Sequence, residues 1–164
     1  MHNCRIRIGT VGDLPFLKKM LYEAVFWDPA VKRLSMDKFF AIPDIAKILY
    51  QWDKRSGDFS LIAVDEQKKS IGAVWYRFWK AENHSYGYVD DNIPELGMAV
   101  IKDYRGKGIG TELMNKICYH ARKLGIEKIS LSVDPNNFAL KLYQKFGFIK
   151  VSESGTSWTL VKKL

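Results

Sequence analysis

The sequence predicts a mixed α/β fold, in which helices and strands share one domain over residues 1–164. Its 164 residues are 47% hydrophobic and 27% charged, and a chain of this length and composition can bury one sizeable core. Helical and strand patterns alternate through the middle of the chain, while its last two patterned segments are both strands. No internal repeat and no Pro/Gly/Ser-rich linker divides the sequence, so we expect a single domain of the α/β or α+β class.

The first half of the sequence contains five patterned segments. Alternating or continuous apolar residues predict the strands, and apolar residues spaced three and four apart predict the helices. The predicted elements are a strand over 5–8, helices over 13–27 and 43–56, and strands over 59–64 and 71–79. Residues 80–94 have no clear period and are expected to form a variable loop.

The second half of the sequence is more regular, and Gly125 and Gly147 end its two predicted helices. The predicted elements are strands over 95–101 and 128–133, helices over 109–124 and 137–146, and strands over 148–151 and 156–161. The last two strands are close enough in sequence to form a hairpin. Residues 102–108 are predicted to form a basic, glycine-containing turn between a strand and a helix.

Several classes of protein are excluded by composition. Cys4 and Cys118 are too few for a disulfide scaffold, and they lack the paired spacing of a zinc site. The start of the sequence lacks the apolar stretch of roughly 7–15 residues that a signal peptide needs. No run approaches the ~18 apolar residues of a membrane span. We therefore expect a cytoplasmic protein that binds no metal and no membrane.

The formal net charge of +8 is concentrated in the C-terminal part of the chain. Residues 1–94 carry 14 basic and 12 acidic side chains, whereas residues 95–164 carry 12 basic and 6 acidic ones. A nucleic-acid-binding protein would place basic side chains along a recognition helix or beside stacking aromatics, and this sequence does neither. We therefore expect a small anionic ligand in this part of the chain rather than nucleic acid.

The strongest local signal is the glycine-rich turn, which reads Arg105-Gly106-Lys107-Gly108-Ile109-Gly110-Thr111. Alternating glycines let the main chain approach a ligand closely and aim successive N–H groups into one concavity. The helix that follows adds N–H groups and its positive dipole end, and Lys102, Arg105 and Lys107 add charge, so a diphosphate suits the turn best. The glycine spacing excludes Walker and dinucleotide-binding loops. A turn needed only for tight strand–helix packing stays open as the alternative.

Two motifs in this part of the chain resemble those of the GNAT superfamily of N-acetyltransferases. The acetyl-CoA motif Gln/Arg-x-x-Gly-x-Gly/Ala is matched by Arg105, Gly108 and Gly110. The pattern Asn-x-x-Ala-x-x-Leu-Tyr-x-x-x-Gly-Phe is matched by Asn136, Ala139, Leu142, Tyr143, Gly147 and Phe148. The specific match covers about residues 95–148, and residues 1–94 agree only in the order of elements.

The resemblance implies a mixed central sheet that is flanked by about four helices and splayed between its fourth and fifth strands to admit pantetheine. It implies acetyl-CoA as the co-substrate, with main-chain groups of Met98 and Val100 bonded to the pantetheine. The N–H groups that would hold the pyrophosphate are those of Arg105, Gly106, Lys107, Gly108, Ile109, Gly110 and Thr111. Asn136 and Tyr143 would lie near the pantetheine and its sulfur. Family members are often dimers, which leaves a homodimer open.

Acetyl transfer to an amine needs a base for the ammonium proton, a donor for the tetrahedral oxyanion and an acid for the thiolate. Glu95 opens the strand before the turn and is the candidate base, directly or through a water, with a solvated strand-end carboxylate as the alternative. Tyr143 is the candidate acid, with an aromatic packed on a helix face as the alternative, and an N–H near Met98 is the candidate oxyanion donor. A non-catalytic acetyl-CoA sensor would need neither side chain, so their presence favours an acyltransferase.

The acceptor is expected to be a primary amine: a small amine, an amino acid, or a protein N-terminus or lysine. The family places acceptor contacts near its first two helices and in the loop after the third strand. Trp27, Tyr86 and Tyr88 are therefore candidate acceptor contacts, with core packing as the alternative. The loop also contains three acidic side chains that could attract a cationic amine, with simple solvation as the alternative. They are Asp90, Asp91 and Glu82.

Overall fold

The computed structural model describes residues 3–164. Its strands are β1 (Arg5–Ile8), β2 (Phe59–Val64), β3 (Ser70–Arg77), β4 (Glu95–Val100), β5 (Lys128–Val133), β6 (Ile149–Ser154) and β7 (Ser157–Lys163). Its helices are α1 (Leu14–Val25), α2 (Met36–Phe40), α3 (Pro43–Ala46), α4 (Ile109–Lys123) and α5 (Ala139–Lys145). Two short 3₁₀ turns span Val11–Asp13 and Lys102–Tyr104.

The seven strands form one sheet in the order β1-β2-β3-β4-β5-β7-β6. β1 pairs antiparallel with β2, and β7 pairs antiparallel with both β5 and β6, whereas β4 and β5 are parallel. The parallel register joins Glu95 to Ser130, and the Ser130 N–H donates to the Pro94 carbonyl at 3.0 Å. The mixed α/β class is therefore confirmed. The splay between β4 and β5 stays a prediction.

The largest difference from the sequence-based expectation lies in the helix predicted over residues 43–56. That prediction is wrong beyond Ala46, where α3 ends after about one turn. The chain continues through turns in which Gln51 and Asp53 have φ of 50° and 69°. Residues in the left-handed region cannot continue an α-helix, so the helix-like apolar spacing here belongs to turns that bury Leu49 and Trp52.

The segment before α3 contains a helix that the sequence pattern does not predict. Helix α2 begins after Ser35, whose side chain accepts a hydrogen bond from the Lys38 N–H at 3.4 Å. It is only five residues long and buries Phe39 alone, so it has no apolar period for a pattern to detect. The described residues 3–164 therefore form five helices, where about four are expected.

The chain divides into two compact units, and their boundaries fall within β3, β4 and α4. The first unit comprises the residues up to Trp75 together with Gly97–Ile117. Its core packs α1, α2 and the turns after α3 against β2, β3 and β4. Completely or almost completely buried members of this core are Leu17, Met20, Phe39, Leu49, Ile62 and Ala73. This core holds the end of β4, from which the glycine-rich turn begins.

The second unit comprises Tyr76–Leu96 and Cys118–Leu164. Here β7 pairs with β5 along its whole length, from Lys128↔Lys163 to Val133↔Trp158. The predicted C-terminal hairpin of β6 and β7 is confirmed, and both strands are longer than predicted. Buried side chains of this unit include Ile129, Leu131, Tyr143, Phe148 and Leu160. Tyr143, the candidate acid, thus belongs to the packed part of the second unit.

Candidate active site

The glycine-rich turn joins β4 to the first turn of α4, and we refer to residues 105–111 as the glycine loop. The Glu112 N–H donates to the Gly108 carbonyl at 3.0 Å, which is the first bond of the α4 ladder. The N–H groups from Gly108 to Thr111 precede that bond and have no acceptor within the helix. Since α4 is 15 residues long, the positive end of its dipole lies at the same place. The loop therefore offers a set of donors suited to an anion.

Gly106 and Gly108 adopt φ of 72° and 83°, in the left-handed region that favours glycine. A Cβ atom added at either residue would meet no other atom within 4 Å. Crowding therefore does not account for these two glycines, which argues against the alternative of a turn required only for close packing. Left-handed glycines with open space beside them are compatible with a main-chain concavity that holds phosphate groups, and this role stays a prediction.

Two lysines at the glycine loop are exposed, whereas the Arg105 side chain bonds to other parts of the protein. Lys102 and Lys107 are exposed, and Lys107 Nζ lies 5.2 Å from the ring centre of Tyr104. Arg105 instead turns towards the protein: its Nε donates to the Val100 carbonyl at 2.9 Å. The Arg105 guanidinium also lies 3.4 Å from a Glu23 carboxylate oxygen, and the expectation that it adds charge to the concavity stays a prediction. The Arg105 main-chain N–H donates to the Lys102 carbonyl at 3.2 Å, so the donors available to a ligand begin at Gly106.

The main-chain groups of β4 alternate between its two edges, as in any strand. The Ile101 N–H donates to the Ile71 carbonyl at 2.8 Å, so Ile101 faces the β3 edge. Met98 and Val100 lie an odd number of positions before Ile101 along the strand. Their N–H and carbonyl groups therefore point to the opposite edge, away from β3. This is the orientation that a pantetheine contact would require. The Val100 carbonyl already accepts a hydrogen bond from Arg105. The groups that remain for pantetheine are the second lone pair of this carbonyl and the N–H groups of Met98 and Val100.

Glu95 lies at the beginning of β4, under the end of the loop that residues 80–94 form. Its Oε2 atom is buried, and Ser130 of β5 is its register partner. Gly87 approaches so closely that a Cβ there would lie 3.0 Å from Glu95 Cδ and 2.8 Å from the main chain of Leu131 and Ser132. Glu95 is therefore a partly buried carboxylate covered by the loop, rather than a solvated strand end. Gly87 gives no signal in the sequence, because the loop has no period.

Tyr143 is 6% exposed on α5, and its ring lies 5.8 Å from that of Phe148, edge to face. Burial raises the pKa of Tyr143 to about 12, so the phenol keeps its proton at neutral pH. Asn136 is exposed, and its N–H donates to Asp134 Oδ1 at 2.8 Å. The N-cap residue of α5 is Phe138, and Asn137 just before it accepts from the Ala139 N–H through its Oδ1 at 2.9 Å. The Asn136 side chain therefore takes no part in capping α5.

The loop over residues 80–94 is organised around Asp91. The Tyr88 hydroxyl donates to Asp91 Oδ1 at 2.6 Å, Lys80 Nζ lies 3.3 Å from its Oδ2, and the Ala81 N–H donates to Oδ1 at 3.1 Å. The hydrogen bond to Asp91 raises the pKa of Tyr88 to about 12, and the Tyr88 ring stacks on His84 at 4.4 Å. Asp91 therefore serves the loop itself, although the sequence places it among side chains that could attract an amine.

The other acceptor candidates differ in exposure. In the second unit, Tyr86 is 52% exposed, and Asp90 is exposed with its Oδ1 accepting from the Asn92 N–H at 2.9 Å. In the first unit, Trp27 follows α1 and is half-buried. Tyr86 and Asp90 thus present side chains to solvent, whereas Tyr88 is held by the loop. Their role as acceptor contacts stays a prediction.

A protein-family model described as the acetyltransferase (GNAT) family matches residues 23–148. The chain belongs to this family. The resemblance predicted from two motifs is thereby confirmed, and it extends beyond residues 95–148 into α1, β2 and β3. The match begins at Glu23 on α1 and ends at Phe148, the last residue of the second motif.

Relatives of this GNAT chain include two mycothiol acetyltransferases. That of Propionibacterium freudenreichii subsp. shermanii is 31% identical over 93 residues, which cover 56% of this chain and 28% of the relative. That of Corynebacterium aurimucosum is 27% identical over 142 residues, which cover 83% and 42%. The chain thus spans less than half the length of both relatives. The PaiA N-acetyltransferase of Thermoplasma acidophilum, solved in complex with coenzyme A, shares the fold with a TM-score of 0.71 and 20% identity over 99% of each chain.

Two features are absent from the described residues 3–164. No helix among them is both long enough and apolar enough to cross a membrane. Within the same residues, no three His, Cys, Asp or Glu side chains form a group that could hold a metal ion.

Proposed function

We propose that this GNAT chain is an acetyl-CoA-dependent N-acetyltransferase that moves an acetyl group to a primary amine by direct attack in a ternary complex. The observation that carries the proposal is the glycine loop, where Gly106 and Gly108 have left-handed φ angles and the N–H groups of the first turn of α4 have no acceptor within the helix. Such a loop suits a pyrophosphate, and the GNAT family uses it for coenzyme A. The coenzyme A in the related PaiA structure agrees with this assignment.

The first unit is assigned the binding of the anionic part of acetyl-CoA. The N–H groups from Gly106 to Thr111 would bind the pyrophosphate, and exposed Lys102 and Lys107 would add attraction for its charge. Main-chain groups of Met98 and Val100 would bond the pantetheine, since they face away from β3. The excess of positive charge after residue 95 is then explained by a polyphosphate co-substrate.

The second unit is assigned the chemistry of transfer. Glu95 would accept the proton of the attacking ammonium, directly or through one water, so that the free amine forms the new C–N bond. The thioester C–S bond then breaks, and Tyr143 would donate its phenol proton to the departing sulfur. The second proton, which the nitrogen loses as the amide forms, would reprotonate Tyr143. The phenol is neutral at pH 7, as an ordinary tyrosine is, so it has a proton to donate. Asn136, which is exposed just before α5, would contact the pantetheine near its sulfur.

The acceptor is proposed to be a primary amine, which the loop over residues 80–94 would help to select. Asp90 and Tyr86 are its exposed candidates, because Asp91 and Tyr88 bond to each other. A cationic amine would be attracted by the Asp90 carboxylate and would lose its proton at Glu95. A cytoplasmic location, a homodimer and the absence of nucleic-acid and membrane binding stay predictions.

The proposal is tested by the binding of acetyl-CoA and by the release of free CoA. Acetyl-CoA should raise the melting temperature in proportion to the logarithm of its concentration, whereas pantetheine without phosphates should not. Gly108→Glu, which places a side chain and a negative charge at a left-handed position of the loop, should abolish that shift. A panel of amines should then reveal an acceptor through release of the CoA thiol. Retention of the shift in Gly108→Glu would contradict the loop assignment, and no CoA release with any amine class would contradict the transferase.

A further inference from the structure

A carboxylate on α1 holds two arginines, one of which begins the glycine loop. Glu23 Oε1 accepts from Arg33 Nη1 at 2.8 Å, and Glu23 Oε2 accepts from Arg33 Nη2 at 3.3 Å. The same Oε2 lies 3.4 Å from Arg105 Nη2. The side chains of Glu23 and Arg105 are 17% and 24% exposed, so water screens this pair less than an ordinary surface pair.

Arg105 uses its other contacts to clamp the end of β4. Its Nε donates to the Val100 carbonyl, and its main-chain N–H donates to the Lys102 carbonyl, so side chain and main chain fix the same turn. Gly106, the first donor of the glycine loop, follows directly. The conformation with which the chain enters the loop therefore depends on where the Arg105 guanidinium is held, and Glu23 holds it.

Arg33 in turn restrains Glu23. Arg33 bonds both carboxylate oxygens, its Nη2 donates to the Phe26 carbonyl at 3.0 Å, and its guanidinium lies 5.5 Å from the centre of the Tyr22 ring. The Glu23 carboxylate is therefore oriented before it meets Arg105. An oriented acceptor loses little side-chain entropy on pairing, which makes the contact with Arg105 an effective restraint.

We propose that Glu23 is a positioning residue for acetyl-CoA: by holding Arg105 against Val100, it keeps residues 105–108 in the conformation that binds the pyrophosphate. The proposal rests on the function proposed above. It also explains the choice at position 105, where the motif accepts glutamine or arginine. Of these two residues only arginine is charged, so only arginine can bond the Val100 carbonyl and form an ion pair with Glu23 at the same time.

Charge alone predicts the opposite effect of removing Glu23. Coenzyme A is a polyanion, and a carboxylate beside the loop repels it, so loss of that negative charge should tighten binding. Loss of the restraint on Arg105 should weaken it. The sign of the change in CoA affinity therefore separates a positioning role from a simple change in charge.

The experiment measures the Kd of coenzyme A by calorimetry for the wild-type chain, Glu23→Gln, Arg105→Gln and the double variant. We expect each single variant to weaken binding about tenfold and the double variant to be no weaker than the worse single one, because both remove the same ion pair. Asp13→Asn is the matched control: Asp13 is bonded bidentately by Arg7 at 2.7 and 2.8 Å and is 11% exposed, in a pair that does not involve the glycine loop. Its Kd should stay within about twofold of the wild type.

The outcomes separate the two proposals. If the wild-type chain does not bind coenzyme A, the proposed function fails. If it binds and Glu23→Gln binds equally well or more tightly, the positioning role alone is overturned. Should Glu23→Gln fail to fold by circular dichroism, Glu23→Asp keeps the charge but shortens the reach by one methylene. Weaker binding by Glu23→Asp would then support the role of Glu23, and an unchanged Kd would overturn it.

Discussion

Two regions of the molecule differ in the groups that they offer a ligand. The glycine loop at residues 105–111 offers main-chain N–H groups, whereas residues 80–95 offer side chains that are positioned by contacts with neighbouring residues. In the glycine loop, Gly106 and Gly108 set the direction of the donors through their φ angles. In the other region, Tyr88 is held by Asp91, and Glu95 is covered by Gly87. The first region can be built by a short stretch of sequence, and the second depends on contacts within its whole unit.

This contrast indicates how a GNAT chain can keep one co-substrate and vary the other. Main-chain donors carry no side-chain specificity, and they suit a phosphate group that is common to every reaction of the family. Side chains on a loop can be replaced without disturbing β4 or α4, so the acceptor can change while the glycine loop stays the same. Each variant below tests whether the two regions separate in this way.

Glu95→Gln is expected to have the largest effect, because an amide cannot accept the ammonium proton. With an acceptor in hand, kcat should fall by roughly 10²- to 10⁴-fold, while the calorimetric Kd of acetyl-CoA stays unchanged. Glu153→Gln, which changes an exposed carboxylate on β6, is the control and should leave both values unaltered. A kcat within a few-fold of the wild type would place the base elsewhere and weaken the division between binding and chemistry.

Tyr143→Phe should have the next largest effect, a fall in kcat of roughly tenfold to a hundredfold with little change in acetyl-CoA affinity. Burial raises the pKa of Tyr143 to about 12, so its neutral form persists until the pH approaches that value. The wild-type rate should therefore show no loss from this group as the pH rises to about 10. Tyr119→Phe, exposed on α4, is the control. Equal rates for Tyr143→Phe and the wild type would remove Tyr143 as the acid.

The sequence is most informative where local conformation decides the structure. The glycine loop was predictable because a left-handed main chain requires glycine, and that requirement is visible at Gly106 and Gly108. The strands over 59–64 and 128–133 match their predictions to the residue, since the first is a mostly apolar run and the second alternates apolar Ile129, Leu131 and Val133 with polar residues. The family motifs added roles that no pattern of apolar residues could supply.

Contacts between distant residues are what the sequence could not predict. Arg105 and Glu23 are 82 residues apart, so the sequence does not show that the Arg105 guanidinium bonds to a residue of α1. The turns that replace the predicted helix after Ala46 are likewise set by burial of Leu49 and Trp52 in the first core. Gly87 could not be predicted either. Glycine is required there because the main chain of β5 leaves no room for a Cβ atom, and that contact is between residues distant in sequence.

Gly87→Ala should destabilise the second unit by about 1–3 kcal/mol, because the new Cβ would lie 2.8 Å from main-chain atoms of Leu131 and Ser132. For a chain of this size the melting temperature should fall by roughly 2–10 °C. Gly12→Ala is the matched control, since its Cβ would meet only Thr10 Oγ1 at 3.5 Å, an ordinary contact. Equal melting temperatures for Gly87→Ala and Gly12→Ala would show that the loop moves freely away from β5. Residues 80–95 would then not depend on contacts within the second unit, and the contrast with the glycine loop would fail.

The smallest expected effects come from two tyrosines that make the same kind of bond in the two regions. Tyr104 donates to Asp65 at 2.9 Å beside the glycine loop, and Tyr88 donates to Asp91 at 2.6 Å in the loop over 80–94. Loss of one such hydroxyl should change an affinity by roughly two- to tenfold. Tyr104→Phe should raise the Kd of acetyl-CoA and spare the acceptor KM, whereas Tyr88→Phe should raise the acceptor KM and spare the Kd. If either variant moved both constants together, the two regions would act as one site, and the separation of a main-chain region from a side-chain region would fail.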